Sequence, residues 1–398
     1  MDGEFERAYE QLSAWCRARG YAGADPFDAL NSRLFRATPL ARSRLARLAW
    51  TQAFKRSPLN LRRLALVPPG RNPKGTALFA LASLSRLRAA RLAGDAARAR
   101  ASEAEARAHL EELLRARVAT PSGGAAWGYN FDWQSRNFYA PRGTPTLVPT
   151  AFAARALVEA HEALGDESYL TTARAVCDFI LTDLPRSEET EDEVCFSYVP
   201  AVRTRIYNAS LLAGETLASV GALTGEEELC AWGLRAARYV ARRQRADGAW
   251  PYGAEPHQSW VDNFHTAFVL LSLARVGRLC GEAAKKELAP ALARGYDFWR
   301  ERFFLADGWP KYYDDNPYPA DIHSAAAAVV ALVELRRPGA GELARRVARW
   351  ALAHLRDPRG FFYYQKRRTH TVRTPHMRWG QAWMLYALAR SLEMMNDE

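Results

Sequence analysis

Two stretches of this chain set an acid, a histidine and a hydroxyl residue in nearly the same order before an apolar run: Asp262-Asn263-Phe264-His265-Thr266 and Asp321-Ile322-His323-Ser324. Imidazole titrates close to neutrality, so His265 and His323 are candidate proton carriers, with Asp262 and Asp321 as the carboxylates that orient or assist them. The same residues have a plainer reading. Asp at a helix start caps free backbone N–H groups, and a histidine beside a buried helix can simply be a hydrogen-bonded core residue. Tyr313 is a third acid–base candidate, provided that an Arg or a protonated His lowers its phenol pKa. Pro375-His376-Met377-Arg378-Trp379 brings another imidazole, His376, together with a guanidinium. Arg136, Arg203, Arg205 and Arg378 sit in loops where no outer helix face needs solvating. Guanidinium pairs carboxylate or phosphate as a fork, so these residues, with Asn208, point to an anionic substrate.

The elements that would hold these residues recur. Segments of Gly and aromatic residues are centred on Trp127, Phe196, Trp250, Trp309 and Phe362 and repeat at intervals of roughly 55–70 residues. Each is followed, after a polar loop, by a run that is apolar or small on almost every side: 150–157, 209–223, 266–274, 324–335 and 381–388, with 76–84 before the first. Helices of that kind are buried all round. The runs at 99–118, 226–243, 285–302 and 342–356 carry Arg and Glu on one face and apolar residues on the other, as helices with one solvated side do. With 41–54 and 170–184 they make six outer helices, each preceding an inner one. Six such hairpins close into an all-α ring, an (α/α)6 toroid, with the aromatic loops round one end of its cavity. Residues 1–398 form one domain in this reading, with 1–40 as a helical cap. Trp127, Tyr129, Trp250 and Trp309 are then either hairpin packing or stacking surfaces for sugar rings.

The chain lacks a phosphate-binding GxxxxGK[ST] loop, a GxGxxG turn, CxxC and HExxH metal spacings and a GxSxG elbow. We expect no metal and no cofactor. The net charge of +11 is carried almost wholly by Arg, much of it beside Glu on outer helices, which argues against a nucleic-acid footprint. Five scattered cysteines read as free thiols. The start is acidic and no uncharged run approaches the roughly 20 residues of a membrane span. A cytoplasmic location is the expectation.

Tyr239-Val240, Gln244 and Gly248-Ala249-Trp250 resemble the QW-type repeat of squalene cyclases and prenyltransferase toroids, and Asp307-Gly308-Trp309 is a fragment of it. The DxDD acid motif and the zinc set of those families are missing. A resemblance over nearly the whole chain is to bacterial proteins of polysaccharide-biosynthesis clusters. It rests on Asp25-Pro26-Phe27-Asp28, Ser57-Pro58-Leu59-Asn60-Leu61-Arg62, Asn72-Pro73-Lys74-Gly75, the two histidine stretches and Met377-Arg378-Trp379-Gly380-Gln381-Ala382-Trp383. That group is similar to the six-hairpin toroids that include glucuronyl C5-epimerases, unsaturated-glucuronyl hydrolases and acylglucosamine 2-epimerases.

Three functions remain in view. The first is an enzyme acting on an acidic, uronate-containing saccharide or glycoconjugate by epimerase- or lyase-like proton transfer. The second is a glycoside hydrolase using two carboxylates from Asp132, Asp262, Asp315 and Asp321. The third is a non-catalytic saccharide-binding protein of a biosynthetic complex.

Overall fold

A helix without a polar face needs neighbours on every side, and the computed structural model, which describes residues 2–136 and 138–397, supplies them by closing a ring. The helices are α1 (Asp2–Arg17), α2 (Arg33–Arg36), α3 (Arg44–Arg56), α4 (Pro73–Leu92), α5 (Ala96–Arg115), α6 (Leu147–Leu164), α7 (Glu167–Asp178), α8 (Tyr207–Thr224), α9 (Glu227–Ala241), α10 (Asn263–Leu279), α11 (Glu282–Phe303), α12 (Ile322–Leu335), α13 (Ala340–Leu355) and α14 (Trp383–Asp397). The inner ring runs α4, α6, α8, α10, α12, α14, and α14 packs back on α4. In α12 every residue from Ile322 to Val333 is buried. The fold is an all-α (α/α)6 toroid. Asn72, Asp262 and Asp321 cap α4, α10 and α12 with their side chains. No helix among the described residues is long and apolar enough to cross a membrane.

The expected order of outer helix, aromatic loop and inner helix holds, and tight turns such as Gly165-Asp166 between α6 and α7 join inner helices to the outer helix that follows. One expectation is corrected. The sixth outer helix is α1, packed on α14, and not residues 41–54. The repeated turns identify α1 independently. A Cβ on Gly248 would meet the Arg294 carbonyl oxygen of α11 at 2.5 Å, and one on Gly360 would meet that of Gln11 in α1 at 3.0 Å. Each turn presses its glycine on the backbone of the next outer helix, and α1 fills that place for the last repeat.

Residues 41–54 belong instead to α3, in a segment spanning 24–67 with its own small core of Ala29, Phe54, Ala65 and Val67. The cap over 1–40 is therefore redrawn, because 2–17 is ring and the covering segment starts near residue 24. That segment lies on the loop end of the ring. Asn31 Nδ2 donates to the Asn130 carbonyl at 3.0 Å, Arg47 Nε to Gln134 Oε1 at 2.9 Å, and the Phe27 ring is 5.7 Å from that of Trp379.

Lower in the ring the inner helices are not purely apolar. Glu215 of α8 accepts from Arg155 Nε of α6 at 3.0 Å and from Arg275 Nη1 of α10 at 2.8 Å. Arg275 also pairs with Glu334 of α12. Arg88 of α4 reaches Glu159 of α6 at 3.1 Å and Glu393 of α14 at 2.7 Å, and Arg390 reaches Glu393 at 3.0 Å. All six inner helices thus contribute to a buried charge belt. Burial would raise the Glu334 carboxyl, but Arg275, Arg390 and Arg155 more than offset it and hold it at about 2. Removing one partner of a buried pair strands the other charge, at a cost of about 3–5 kcal/mol. Glu215→Gln is expected to lose that much stability, read as a lowered denaturation midpoint in urea; a variant as stable as the parent would show that the belt contributes nothing.

Candidate active site

The strongest chemical arrangement stands at the start of α10. As N-cap, Asp262 Oδ1 accepts from the His265 backbone N–H at 3.0 Å. Its Oδ2 lies 2.7 Å from His265 Nδ1 and accepts from Trp260 Nε1 at 3.1 Å. A carboxylate on Nδ1 fixes the ring and its tautomer, leaving Nε2 as the nitrogen that can take a proton. Nε2 has no protein partner, and the His265 side chain is 22% exposed over an Asp262 that is buried. The Tyr252 and Trp260 rings stack at 4.6 Å and 15°, with Tyr252 4.7 Å from the imidazole. A backbone bridge between Asp262 and Tyr313 brings the exposed Tyr313 alongside. One carboxylate thus both caps α10 and holds the His265 imidazole.

Beneath this half-open patch the packing is closed. His323 at the start of α12 is buried, and neither ring nitrogen has a hydrogen-bond partner. Its ring lies 4.5 Å from Phe264, 4.3 Å from Trp379 and 4.8 Å from Trp383. Burial, and then the charges of Lys74, Arg378 and His265, depress its pKa and keep it neutral. The Lys74 amine of α4 stands over Phe152 at 4.2 Å, Phe268 at 5.2 Å and Trp383 at 5.4 Å. Asp321 caps α12 through the His323 N–H at 2.8 Å and also accepts from Gln365 Nε2 at 2.6 Å and Trp379 Nε1 at 3.0 Å. His265 and His323 are thus brought together around Phe264, but only His265 reaches the surface.

Several expected binding residues have other work. Trp127 and Trp250 are buried and donate their indole N–H groups to the carbonyls of Leu113 at 2.7 Å and Val240 at 2.9 Å, tying each aromatic turn to the outer helix before it. A Cβ at Gly295 would sit 2.1 Å from the Trp250 ring, so this packing leaves no room for a sugar. Trp309 packs on Trp350 at 4.8 Å and donates to the Pro317 carbonyl at 2.8 Å. Arg378 is buried and grips Asp25 with both branches, at 2.6 and 2.8 Å. Arg205 is held by Glu188 at 2.7 Å and Glu255 at 2.6 Å, and Arg203 donates to the Arg186 carbonyl at 3.0 Å. Arg136 is exposed and its carbonyl accepts from Arg44. Asn208 is buried with its Oδ1 unpartnered, and His376 is buried against Tyr364 at 4.8 Å with Nδ1 unpartnered. Tyr129 stays at the mouth, its hydroxyl 3.0 Å from that of Tyr198. The Tyr313 phenol does not have a lowered pKa: partial burial, with Asp262 adding to it, raises it and holds the phenol protonated.

Lys55 and Lys74, Tyr198, Tyr252 and the Phe264–Trp379–Trp383 cage carry parts of the site that were not singled out as site residues in the sequence. Lys74 was legible only as a member of Asn72-Pro73-Lys74-Gly75, a helix start whose Pro is pre-set for the first turn. Among the described residues no three His, Cys, Asp or Glu side chains cluster closely enough to hold a metal ion.

No family model matches the chain, and no curated protein does. Solved structures match its fold over about four fifths of the chain. One is cellobiose 2-epimerase from Bacillus thermoamylovorans, with a TM-score of 0.60 and 14% identity over 82% of this chain and 88% of that one. Another is a GH76 α-mannanase from Bacteroides thetaiotaomicron, with a TM-score of 0.60 and 10% identity over 80% and 85%. A third is a possible GH105 family member from Salmonella enterica, with a TM-score of 0.57 and 13% identity over 81% and 83%. At these identities the likeness is one of fold.

Burial lifts the Asp321 carboxyl to about 6, against the opposing pull of Gln365, the His323 N–H, Trp379 and Lys55. A carboxyl raised on folding gives stability that is full below the unfolded pKa and is lost as pH rises through the folded one. Asp321→Asn keeps a side-chain oxygen for the cap but cannot ionise. The melting temperature of the variant, relative to the parent at the same pH, is expected to climb between about pH 4 and pH 6 and then level off; a difference that does not vary with pH would refute the raised pKa.

Proposed function

We propose that this protein is a carbohydrate-active enzyme that takes a proton from a saccharide carbon next to a carbonyl or carboxylate, and then either reprotonates carbon, as epimerases and isomerases do, or expels the β-substituent, as lyases do. The observation that carries this reading is the Asp262–His265 pair, with an unpartnered Nε2 in a half-open patch of Tyr252, Trp260 and Tyr313. His265 Nε2 is the base. The Tyr313 phenol, held protonated, hydrogen-bonds the oxygen on which charge develops. Aromatic faces such as Tyr252 and Trp260 suit the C–H face of a pyranose. Solved structures of like fold named for cellobiose 2-epimerase and D-mannose isomerase accord with the reading and make cellobiose and mannose the natural first substrates.

Two of the four loop arginines behind the expected acidic substrate, Arg205 and Arg378, are already ion-paired within the protein. A neutral sugar is therefore the first reading. A uronate is the second, favoured by Lys55, whose amine makes no hydrogen bond, stands 4.6 Å from the Phe27 ring and is drawn to Asp321. Hydrolysis is disfavoured because three of the four candidate carboxylates are already engaged. Asp262 and Asp321 cap helices, and Asp132 is held by Arg36 and the Arg142 N–H, both at 2.8 Å.

Incubation of cellobiose, mannose and a uronate disaccharide in D2O, followed by NMR, tests the proposal. Deuterium is expected at the carbon next to the carbonyl or carboxylate. His265→Ala should slow exchange by about 10²–10⁴, and Asp262→Asn should slow it through loss of the productive tautomer without a change in melting profile as large as that in rate. Hydrolysis without carbon exchange, or exchange that survives His265→Ala, would overturn it.

A further inference from the structure

Between Asp28 and Asp95 the sequence holds no Asp or Glu, although a quarter of the chain is charged. Within that run the covering segment exposes Leu34, Leu40, Leu45, Leu59, Leu64 and Leu66 at 50% to 77%. Elsewhere the described chain exposes only Leu92, Tyr139, Leu223, Leu305 and Tyr313 among its large apolar residues. Five of the leucines come from neighbouring pieces of backbone. The Arg33 N–H donates to the Leu66 carbonyl at 3.4 Å and Ser32 Oγ to that of Ala65 at 2.6 Å, which sets Leu34 beside Leu64 and Leu66. The turn Pro39–Arg42 then runs directly into α3, whose first turn carries Leu45.

The basic residues of the segment divide in two. Those facing the rim are satisfied: Arg62 by Asp28 at 2.7 Å, Arg36 by Asp132 at 2.8 Å and Arg47 by Gln134 at 2.9 Å. Arg33, Arg42 and Arg63 are exposed and none has an acidic partner among the described residues, whereas outer-helix arginines such as Arg107 and Arg346 sit beside Glu103 and Glu342. Exposed leucines interleaved with unbalanced arginines suit the interface of a bilayer. The apolar side chains enter the boundary between headgroups and acyl chains while the cations stay with anionic lipid. A polyanion such as nucleic acid would match the arginines but gives the leucines no reason to be exposed.

We propose that residues 33–66 form a docking face for an anionic lipid bilayer. The proposal does not depend on the chemistry assigned to His265, and its test reads binding alone.

The full chain is sedimented with phosphatidylcholine vesicles and with vesicles in which about a third of the lipid is phosphatidylglycerol. It is expected to partition onto the anionic vesicles and to be released in part as NaCl rises from about 0.1 M to about 0.5 M. Leu34→Ser/Leu40→Ser/Leu45→Ser should lower partitioning by about tenfold or more. Arg33→Glu/Arg42→Glu/Arg63→Glu should abolish it, and all six positions are surface residues whose replacement should leave circular dichroism and melting unchanged. Failure of the parent to bind anionic vesicles overturns the proposal. So does a leucine variant that binds vesicles as the parent does; if duplex DNA also displaces it, the face is a polyanion site.

Discussion

Charges on six packed helices can be buried only if every one finds its partner, and the belt of Arg88, Arg155, Glu215, Arg275, Glu334 and Glu393 meets that demand across the whole ring. A buried ion is costly when unpaired and gains little net stability when paired. What it does supply is register. Rotating α10 by one residue would carry Arg275 away from both Glu215 and Glu334. The same rotation would move Asp262 and His265 at the other end of that helix. The settings of α10 and α12 that satisfy the belt are therefore the settings that turn the two capping aspartates and their histidines toward one axis.

The loop end answers to a different constraint. Its polar groups are layered, with a carboxylate-oriented imidazole where solvent reaches and an unpartnered imidazole and amine where it does not. His323 and Lys74 share the Phe268 and Trp383 rings, and neither ring nitrogen of His323 has a hydrogen bond. Unsatisfied polar groups of that kind are expensive in a core. The clamp of Arg378 on Asp25 anchors the start of the covering segment directly above them. The segment thus keeps water from groups that would otherwise be hydrated, and through Phe27 and Lys55 it contributes surface of its own.

The ring could be read from the sequence because apolar helices alternate with two-faced ones, and hydrophobic periodicity survives without any knowledge of partners. Residues 2–17 carry the same signal in Phe5, Ala8, Tyr9, Leu12 and Cys16, all buried, and an outer helix was legible there. Its place in the ring is not legible, because its inner partner lies at the far end of the sequence, where spacing gives no guide. Asp262 and His265 were legible because they are three residues apart on one turn. The engagement of Arg378 by Asp25 was not, since the two are separated by 353 residues and no local pattern couples them. Trp127 and Trp250 look alike as packing and as sugar platforms until it is known which carbonyl receives the indole N–H.

The sixth hairpin is unlike the other five in being made of helices that flank all the rest. Of the ring helices α1 emerges first and α14 last, at about 5–20 residues per second, so the flank of α4 that will receive α14 stays uncovered while α5 to α13 are made. Five hairpins can form as they leave the ribosome. The last is a joining of strangers, and until it occurs the nascent ring is an open crescent with two sticky edges. A chaperone that shields α1 and α4 would act on this protein through its order of assembly and not through the stability of any single helix.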